Sequence, residues 1–565
     1  MKGIQRAALL LSTLTLSLAA HAKTQKPSQM QLLGDVPYAA MVGAMNVGRL
    51  APSHMINLTV VLNLRHQQAL KTLIHRLYNP NDSMYHHYLT PKEFRAEFGP
   101  TPETFALVGS YLQSHNLQIV RTTTNTIQCR GYSANVEKAF GVQMQEYQKQ
   151  DGTLAYAPDS VPHVESKLAS KITAILGLNS FAHFVAFNIK RKTNQSLSSN
   201  PTNPPSGPMG GLGPADIENA YSLQAAGATG AGQTLGLMEL DGFASSDIAT
   251  YAQNYNINEP PLKTVLVDGY DGSAGQGADE VTLDIELMMA VAPQAKAIMV
   301  YEGPNSENGP VDVYAKIADD DKAKQISSSW GAPESQNTTA FLQAENKIFM
   351  QMAAQGQTIY AASGDSGAYD DGSTLSVDDP ASQPYVVAAG GTTLTTASSG
   401  AYQSETSWSV AGSLSSGQPE GGGGGISSIW SIPSWQKGVA STVNEGSTTM
   451  RMVPDVAIDA DPNTGYAIYT GGMWNIFGGT SCAAPIWAAF TALVNQARAT
   501  KGLKPLGFAN PTFYSLGESS SYESLFHDIA DQSTNLYYPA VTGYDLSTGW
   551  GSMIGPKLFT ALTSK

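Results

Sequence analysis

The octapeptide GGTSCAAP at 478–485 delivers Ser481, after a turn of small residues, to the start of SCAAPIWAAFTALVNQAR, whose apolar spacing predicts a helix. A serine held in that way is a candidate nucleophile, and a serine nucleophile needs a base. Of the ten histidines only His527 lies C-terminal to residue 214. A Ser481–His527 pair would follow the chain order of α/β-hydrolases and make the protein an esterase or lipase, but the G-x-S-x-G elbow of that fold is missing. Subtilisin order places the histidine before the serine, and residues 215–480 contain none. These facts disfavour a conventional triad without removing the Ser481–His527 alternative, and a serine's base need not be imidazole, since a well-held carboxylate can accept the proton.

The stretch GADEVTLDIELMMAVAPQAKAIMVY supplies one. Glu280 and Asp284 are four residues apart, so on a helix they share a face one turn apart. Two adjacent carboxyls cannot both ionise cheaply and can share a proton, which makes Glu280 a base for Ser481 and Asp284 its orienter. Such a pair is most often a solvated helix face, but LMMAVA marks this helix as buried. Asp365, in TIYAASGDSGAYDDG, follows a buried-strand pattern and sits between glycines. It reads either as an Asx turn or as a donor to an oxyanion, which a carboxyl can be only while protonated. Cys482, beside the serine, reads as a small buried filler; the other cysteine, Cys129, is far away in sequence.

The elements around these residues fall into two patterns. Residues 30–185 mix strands (MINLTVVLNL, TIQCRGY) with helices (HQQALKTLIHRLY, PETFALVGSYLQSH, SANVEKAFG), as in a small α+β, ferredoxin-like domain. Residues 188–214 hold five prolines, the basic KRK at 190–192 and no apolar period, which marks a linker and processing region, assigned to 188–212. Beyond it, TLGLMEL, AKAIMVY, KQISSSW, TIYAAS and YVVAAGG alternate with helical stretches, the pattern of buried parallel strands in a doubly wound α/β sheet. The glycines 421–425 read either as backbone exposed for pairing with a substrate or as a flexible loop.

Residues 1–22 have a short basic start, an apolar core and an A-x-A site, the form of a removable export signal. No later stretch is apolar enough to span a membrane, so the expectation is a secreted protein, extracellular or periplasmic, and a monomer by default. Residues 1–200 carry 19 Lys and Arg against 10 Asp and Glu, a net of +9, whereas the remainder is at −23. This contrast implies mutual attraction of the two halves or merely separate solubility charges. No basic cluster interleaved with aromatics points to nucleic acid.

Together these motifs resemble the sedolisins, or serine-carboxyl peptidases. GGTSCAAP is similar to their S-G-T-S-A-x-x-P, with Gly478 for the first serine and Cys482 for the alanine; EVTLD is similar to their Glu/Asp pair and SGDSG to their oxyanion aspartate. SSSWG, VDDPASQPYVVAAGGT and GGGGGISSIWSIPSWQ resemble further family segments, and YHHYLTPKEFRAEFGPT resembles the activation prodomain. The resemblance implies a subtilisin-like catalytic domain over 213–565 and a prodomain over 23–187 acting as intramolecular inhibitor and chaperone. It implies an acid-acting endopeptidase zymogen with Ser481 as nucleophile, Glu280 as base, Asp284 as partner and Asp365 as oxyanion donor, and Glu239 and Trp330 extending the proton network. Peptides and proteins are the implied substrates. A non-catalytic relative that keeps the fold for binding is the remaining alternative. The segment FHDIADQSTNLYYPAVTGYDLSTGWG offers Asp528, Asp531 and Asp545 in glycine-bearing loops, which suit calcium over zinc or are ordinary Asx turns. The resemblance implies one structural calcium ion on the carboxylates of Asp528 and Asp545 and the carbonyls of Ile529, Val541 and Gly543.

Overall fold

A computed structural model describes residues 30–32, 36, 38, 41–191, 205–223, 227–410 and 419–564. The expected signal, 1–22, and linker residues 192–204 lie outside the described residues.

In the front domain, strands Met55–Leu62, Gln118–Thr122, Thr126–Tyr132 and Ile172–Leu176 form an antiparallel sheet. Numbered along the chain, they lie side by side in the order 2-3-1-4, the split βαβ arrangement of a ferredoxin-like domain. Helices Pro102–Ser114 and Ser133–Phe140 cover one face, where Val108, Leu112, Val136 and Phe140 meet Ile56, Leu58, Val60 and Leu62. Because side chains alternate along a strand, Val61 points the other way, and with Ala174 and Leu176 it packs into the core of the second domain. Thr90 and Glu93 of LTPKEF form a capping box at helix Pro91–Glu97, which seats Phe94 and Phe98 against the same body.

The second domain is built on a sheet ordered Leu262–Leu266, Ala297–Glu302, Thr234–Glu239, Gln325–Ser328, Thr358–Ala362, Val387–Thr396 and Tyr402–Ser407. Every pairing along it is parallel except that of the last strand; Val456–Asp459 also pairs with Val387–Thr396 in parallel. Both faces are covered. Leu235, Leu237, Ile298, Val300 and Tyr360 face helices Ala278–Val291 and Ala483–Thr500, while Met238, Met299, Tyr301 and Ile359 face helices Gly309–Asp320 and Thr339–Ala354. This two-sided burial is why these strands read as unbroken apolar runs.

The front domain lies on the Gly309–Asp320 and Thr339–Ala354 helices. Thr59 Oγ1 donates to Asp312 (2.5 Å), Tyr78 OH to the Ala353 carbonyl (2.7 Å), and Glu307 accepts the backbone N–H of Gly177 (2.7 Å). Of the opposite charges, one ion pair crosses among the described residues, Arg95–Asp319 at 3.2 Å, with the arginine half exposed. Such pairs contribute little, so apolar packing and hydrogen bonds carry this contact rather than the contrast in net charge.

Candidate active site

Ser481 lies at the C-terminal side of the sheet, where loops after parallel strands converge. It sits in the short turn Thr480–Cys482 that leads into helix Ala483–Thr500, and it is fully buried. Gly479 before it has φ +97°, a left-handed conformation, and a Cβ there would stand 2.2 Å from the carbonyl oxygen of Phe187 and 2.6 Å from Asp365 Oδ2. Only glycine fits.

The carboxyls converge from separate elements. Helix Ala278–Val291 carries Glu280 and Asp284 into the core, both with no exposed surface. Asp241 anchors the start of that helix by accepting the N–H groups of Gly275 and Gly277 at 2.7 and 2.6 Å. Ser329 Oγ donates to both oxygens of Asp284 at 3.0 Å, and Trp330 Nε1 donates to Glu239 Oε2 at 2.9 Å. Glu239 and Asp284 are close enough to interact electrostatically. The six residues Ser481, Glu280, Asp284, Glu239, Trp330 and Asp365 thus come together, and Ser329 and Thr480 join them. Sequence reasoning missed these two, although both sit inside the quoted motifs.

No salt bridge among the described residues reaches the carboxyl cluster. Burial pushes Glu280 up to about 8 against the opposing hydrogen bond from Asn188 and the nearby hydroxyls of Ser481 and Ser329. Burial, reinforced by Glu239 and Glu280, holds Asp284 well above the ordinary carboxyl range, and burial does the same for Glu239. Three buried carboxyls with no cation must share protons rather than all ionise. Ser481 Oγ is close enough to Glu280 to favour its ionised form, yet it makes no aligned hydrogen bond.

Asp365 faces the serine from the loop after strand Thr358–Ala362. Its Oδ1 accepts from Thr480 N (2.7 Å) and Thr480 Oγ1 (2.9 Å), whereas Oδ2 is buried with no partner. Burial, with Glu280 and Glu420 nearby, raises its pKa well above the usual value, which favours the protonated form, and Oδ2 is the oxygen left free. The glycine tract supports this loop and is not a mobile surface loop. Gly421 N donates to the Asp365 carbonyl (2.9 Å) and Gly423 N to the Gly364 carbonyl (2.8 Å), and the tract is buried.

A strand from the end of the front domain crosses the site. Val185 and Ala186 pair antiparallel with Gly331 and Trp330, and Phe187 N donates to the Ser329 carbonyl at 3.1 Å. Ser481 N donates to the Phe187 carbonyl at 2.9 Å. Ile189 and Lys190 then pair with Gly478 and Phe477, and Asn188 Nδ2 donates to Glu280 Oε2 at 2.6 Å.

Two residues beside the motifs take plain roles. His527 is stacked on Tyr402 with ring centroids 3.4 Å apart, and burial lowers it to about 4. It is not among the partners of Ser481 or its neighbours, which removes the basis for an imidazole-based esterase. Cys482 is fully buried and its thiol is pushed well above its usual pKa, as expected of a packing residue.

In the C-terminal loops Asp528 accepts from Tyr522 OH (3.0 Å) and Gly543 N (3.2 Å), and Asp545 from the N–H groups of Val541, Ser547 and Thr548 at 2.7–3.0 Å. Asp531 instead caps Ser533 within its own turn, and no cluster of three acidic, His or Cys groups forms among the described residues. The carbonyls of Ile529, Val541 and Gly543 accept no hydrogen bond among the described residues. Asp545, buried, and Asp528, half-buried, each accept from the Val541–Gly543 segment, so the two carboxylates and these carbonyls belong to neighbouring loops and are all of the oxygen type a hard cation takes.

Fold and front domain together define a subtilisin-fold serine peptidase that carries its own activation domain. Residues 43–181 match the pro-kumamolisin activation domain and residues 268–512 the subtilase family. The chain is 34% identical to kumamolisin from Bacillus sp. (strain MN-32), across 96% of each chain, and 31% identical to sedolisin from Pseudomonas sp. (strain 101), across 91% of this chain and 88% of that one. The solved structure of Pseudomonas sedolisin, a serine-carboxyl proteinase complexed with two molecules of pseudo-iodotyrostatin, superposes with a TM-score of 0.56 at 34% identity, covering 62% of this chain and 97% of that one. The chain belongs to the sedolisin family of serine-carboxyl peptidases.

Proposed function

We propose that this chain is an exported, acid-acting endopeptidase made as a self-processing zymogen. Ser481 attacks the peptide carbonyl, Glu280 takes its proton and later returns it to the leaving amine, and Asp284, with Glu239 and Trp330 behind it, orients Glu280 and spreads its charge. The Ser481 N–H and the protonated Asp365 receive the oxyanion. The observation that carries this reading is the unpartnered Asp365 Oδ2 beside a carbonyl oxygen that already accepts from Ser481 N. Endopeptidase action is supported by the cleft, in which an extended strand runs past Ser481 on both sides. Export is supported by the signal pattern at 1–22, and no helix among the described residues is long and apolar enough to cross a membrane. Asp528, Asp545 and the carbonyls of Ile529, Val541 and Gly543 would hold one calcium ion. That ion would clip the C-terminal loops to the core and supply no chemistry.

The precursor, incubated with a denatured protein between about pH 3 and 7, is expected to hydrolyse it with an optimum near or below the ordinary carboxyl pKa of about 4. Ser481→Ala and Glu280→Gln should each lose about 10³-fold or more, whereas His527→Ala keeps the parent's rate. Full activity in Glu280→Gln would remove the carboxylate base from the mechanism.

A further inference from the structure

We infer that the Phe187–Asn188 peptide bond is the first bond this enzyme cuts in its own chain. This inference rests on the reading of Ser481 as nucleophile but goes beyond it by naming the bond. The linker as a whole marks only a region, 188–212, whereas the cleft selects one carbonyl. Among the described residues Phe187 alone combines a carbonyl that accepts from Ser481 N at 2.9 Å with a position beside Asp365 Oδ2: one Cβ built on Gly479 would touch both oxygens, at 2.2 and 2.6 Å. The chain is held in extended form on both sides of that carbonyl. Upstream, Val185, Ala186 and Phe187 run along Ser329–Gly331, with Phe184 stacked on Phe341 at 5.4 Å. Downstream, Ile189 and Lys190 pair with Gly478 and Phe477, Arg191 N donates to the Ile476 carbonyl at 2.9 Å, and Ile189 packs on Trp408 and Ala460. A peptide fixed at about three residues on each side of one carbonyl has already met the orientational cost of reaction.

Asn188 adds an interaction with the base. Its amide donates to Glu280 Oε2 at 2.6 Å, leaving Oε1 without a partner. The step is ordinary hydrolysis. Ser481 Oγ bonds to the Phe187 carbonyl carbon as its proton passes to Glu280. The tetrahedral intermediate collapses by breaking the bond to Asn188 N, which leaves as an amine with the proton from Glu280. Water then cleaves the Phe187 ester, freeing Ser481 and a Phe187 carboxylate.

The test is the full-length precursor brought from pH 7 to pH 4, quenched at short intervals and analysed by intact mass, beside Ser481→Ala and Asn188→Pro. The expected first pair of fragments ends at Phe187 and begins at Asn188. Ser481→Ala should yield neither fragment, and Asn188→Pro should slow appearance of the pair at least tenfold, since a proline nitrogen is a poor leaving group in a protease site. A first pair defining any other bond, or an unchanged time course in Asn188→Pro, overturns the assignment. If the first cut lies elsewhere while an external peptide is still hydrolysed in a Ser481-dependent way, only the bond is wrong. If the parent cuts neither itself nor any peptide, the catalytic reading falls and the bond with it.

Discussion

Asp365 offers the sharpest test, because its two oxygens have different tasks. Oδ1 accepts two hydrogen bonds from Thr480 at 2.7 and 2.9 Å, and Oδ2 lies near the Phe187 carbonyl oxygen with no partner. In Asp365→Asn the amide oxygen can replace Oδ1 and the amide nitrogen can donate where the protonated Oδ2 did. Asp365→Ala removes both. Loss of one oxyanion donor costs about 10²–10³ in kcat, or about 2.7–4 kcal/mol. The alanine variant should therefore fall by that factor in acid, where the parent's donor is protonated, with some loss of stability from unpaired Thr480 groups. The asparagine variant should stay within about tenfold of the parent in acid. On the alkaline side the two should part: the parent loses its donor as Asp365 ionises, but an amide cannot ionise. The sign is the same for stability. Burial raises the folded-state pKa of Asp365 above its unfolded value, so its contribution is complete below about pH 4 and is lost as pH rises through the raised value. A tenfold difference in proton affinity between the folded and unfolded chain is worth about 1.4 kcal/mol, and the Tm of Asp365→Asn relative to the parent should therefore increase from pH 4 to pH 8. The assays are kcat/KM against pH on a fluorogenic peptide and Tm against pH. An asparagine variant that is folded yet as inactive as alanine at every pH, or one that shares the parent's alkaline limb, would refute the donor role.

Gly423→Ala should lower Tm by several degrees, at a cost of about 1–3 kcal/mol, because its Cβ would lie 1.8 Å from the Ser363 carbonyl oxygen; an unchanged melting curve would contradict the packing described for the glycine tract. Removal of calcium with a chelator should lower Tm, and Asp545→Asn should abolish that response; equal Tm values with and without added calcium in the parent would count against the ion. Trp330→Phe keeps the backbone that pairs with Ala186 but removes the 2.9 Å hydrogen bond to Glu239. It should lower kcat up to about tenfold, leave KM nearly unchanged and displace the pH profile, and a profile identical to the parent's would limit Trp330 to packing.

Much of this protein is readable one residue at a time. Period-2 and unbroken apolar runs place the strands, TIQCRGY with the same ends as observed, and the helix carrying Glu280 and Asp284 follows from LDIELMMAV. Local spacing also puts those two carboxyls on one face, because a helix turn repeats at four residues whatever surrounds it. The proposal of a carboxylate base starts from a negative fact, the lack of any histidine from 215 to 480.

Other features depended on contacts between distant segments. The glycine tract looked like a loop because glycines signal flexibility locally; here they are glycines because Ser363, Gly391 and Leu546 backbone comes too near for any Cβ. Net charge left open whether electrostatics join the two domains or each half merely carries its own solubility charge, because a charge summed over 200 residues says nothing about which side chains meet. Asp365 reads in sequence as a turn residue or a donor, and only the fold sets Thr480 on one of its oxygens and leaves the other without a partner. By itself the sequence determined which elements form and which groups can do acid–base chemistry, since both follow from local periodicity and side-chain type. Only the tertiary structure decided which carboxyls are buried together without a cation, and so hold protons, and which carbonyl of the chain lies against Ser481. Those depend on desolvation and on the meeting of segments nearly 300 residues apart.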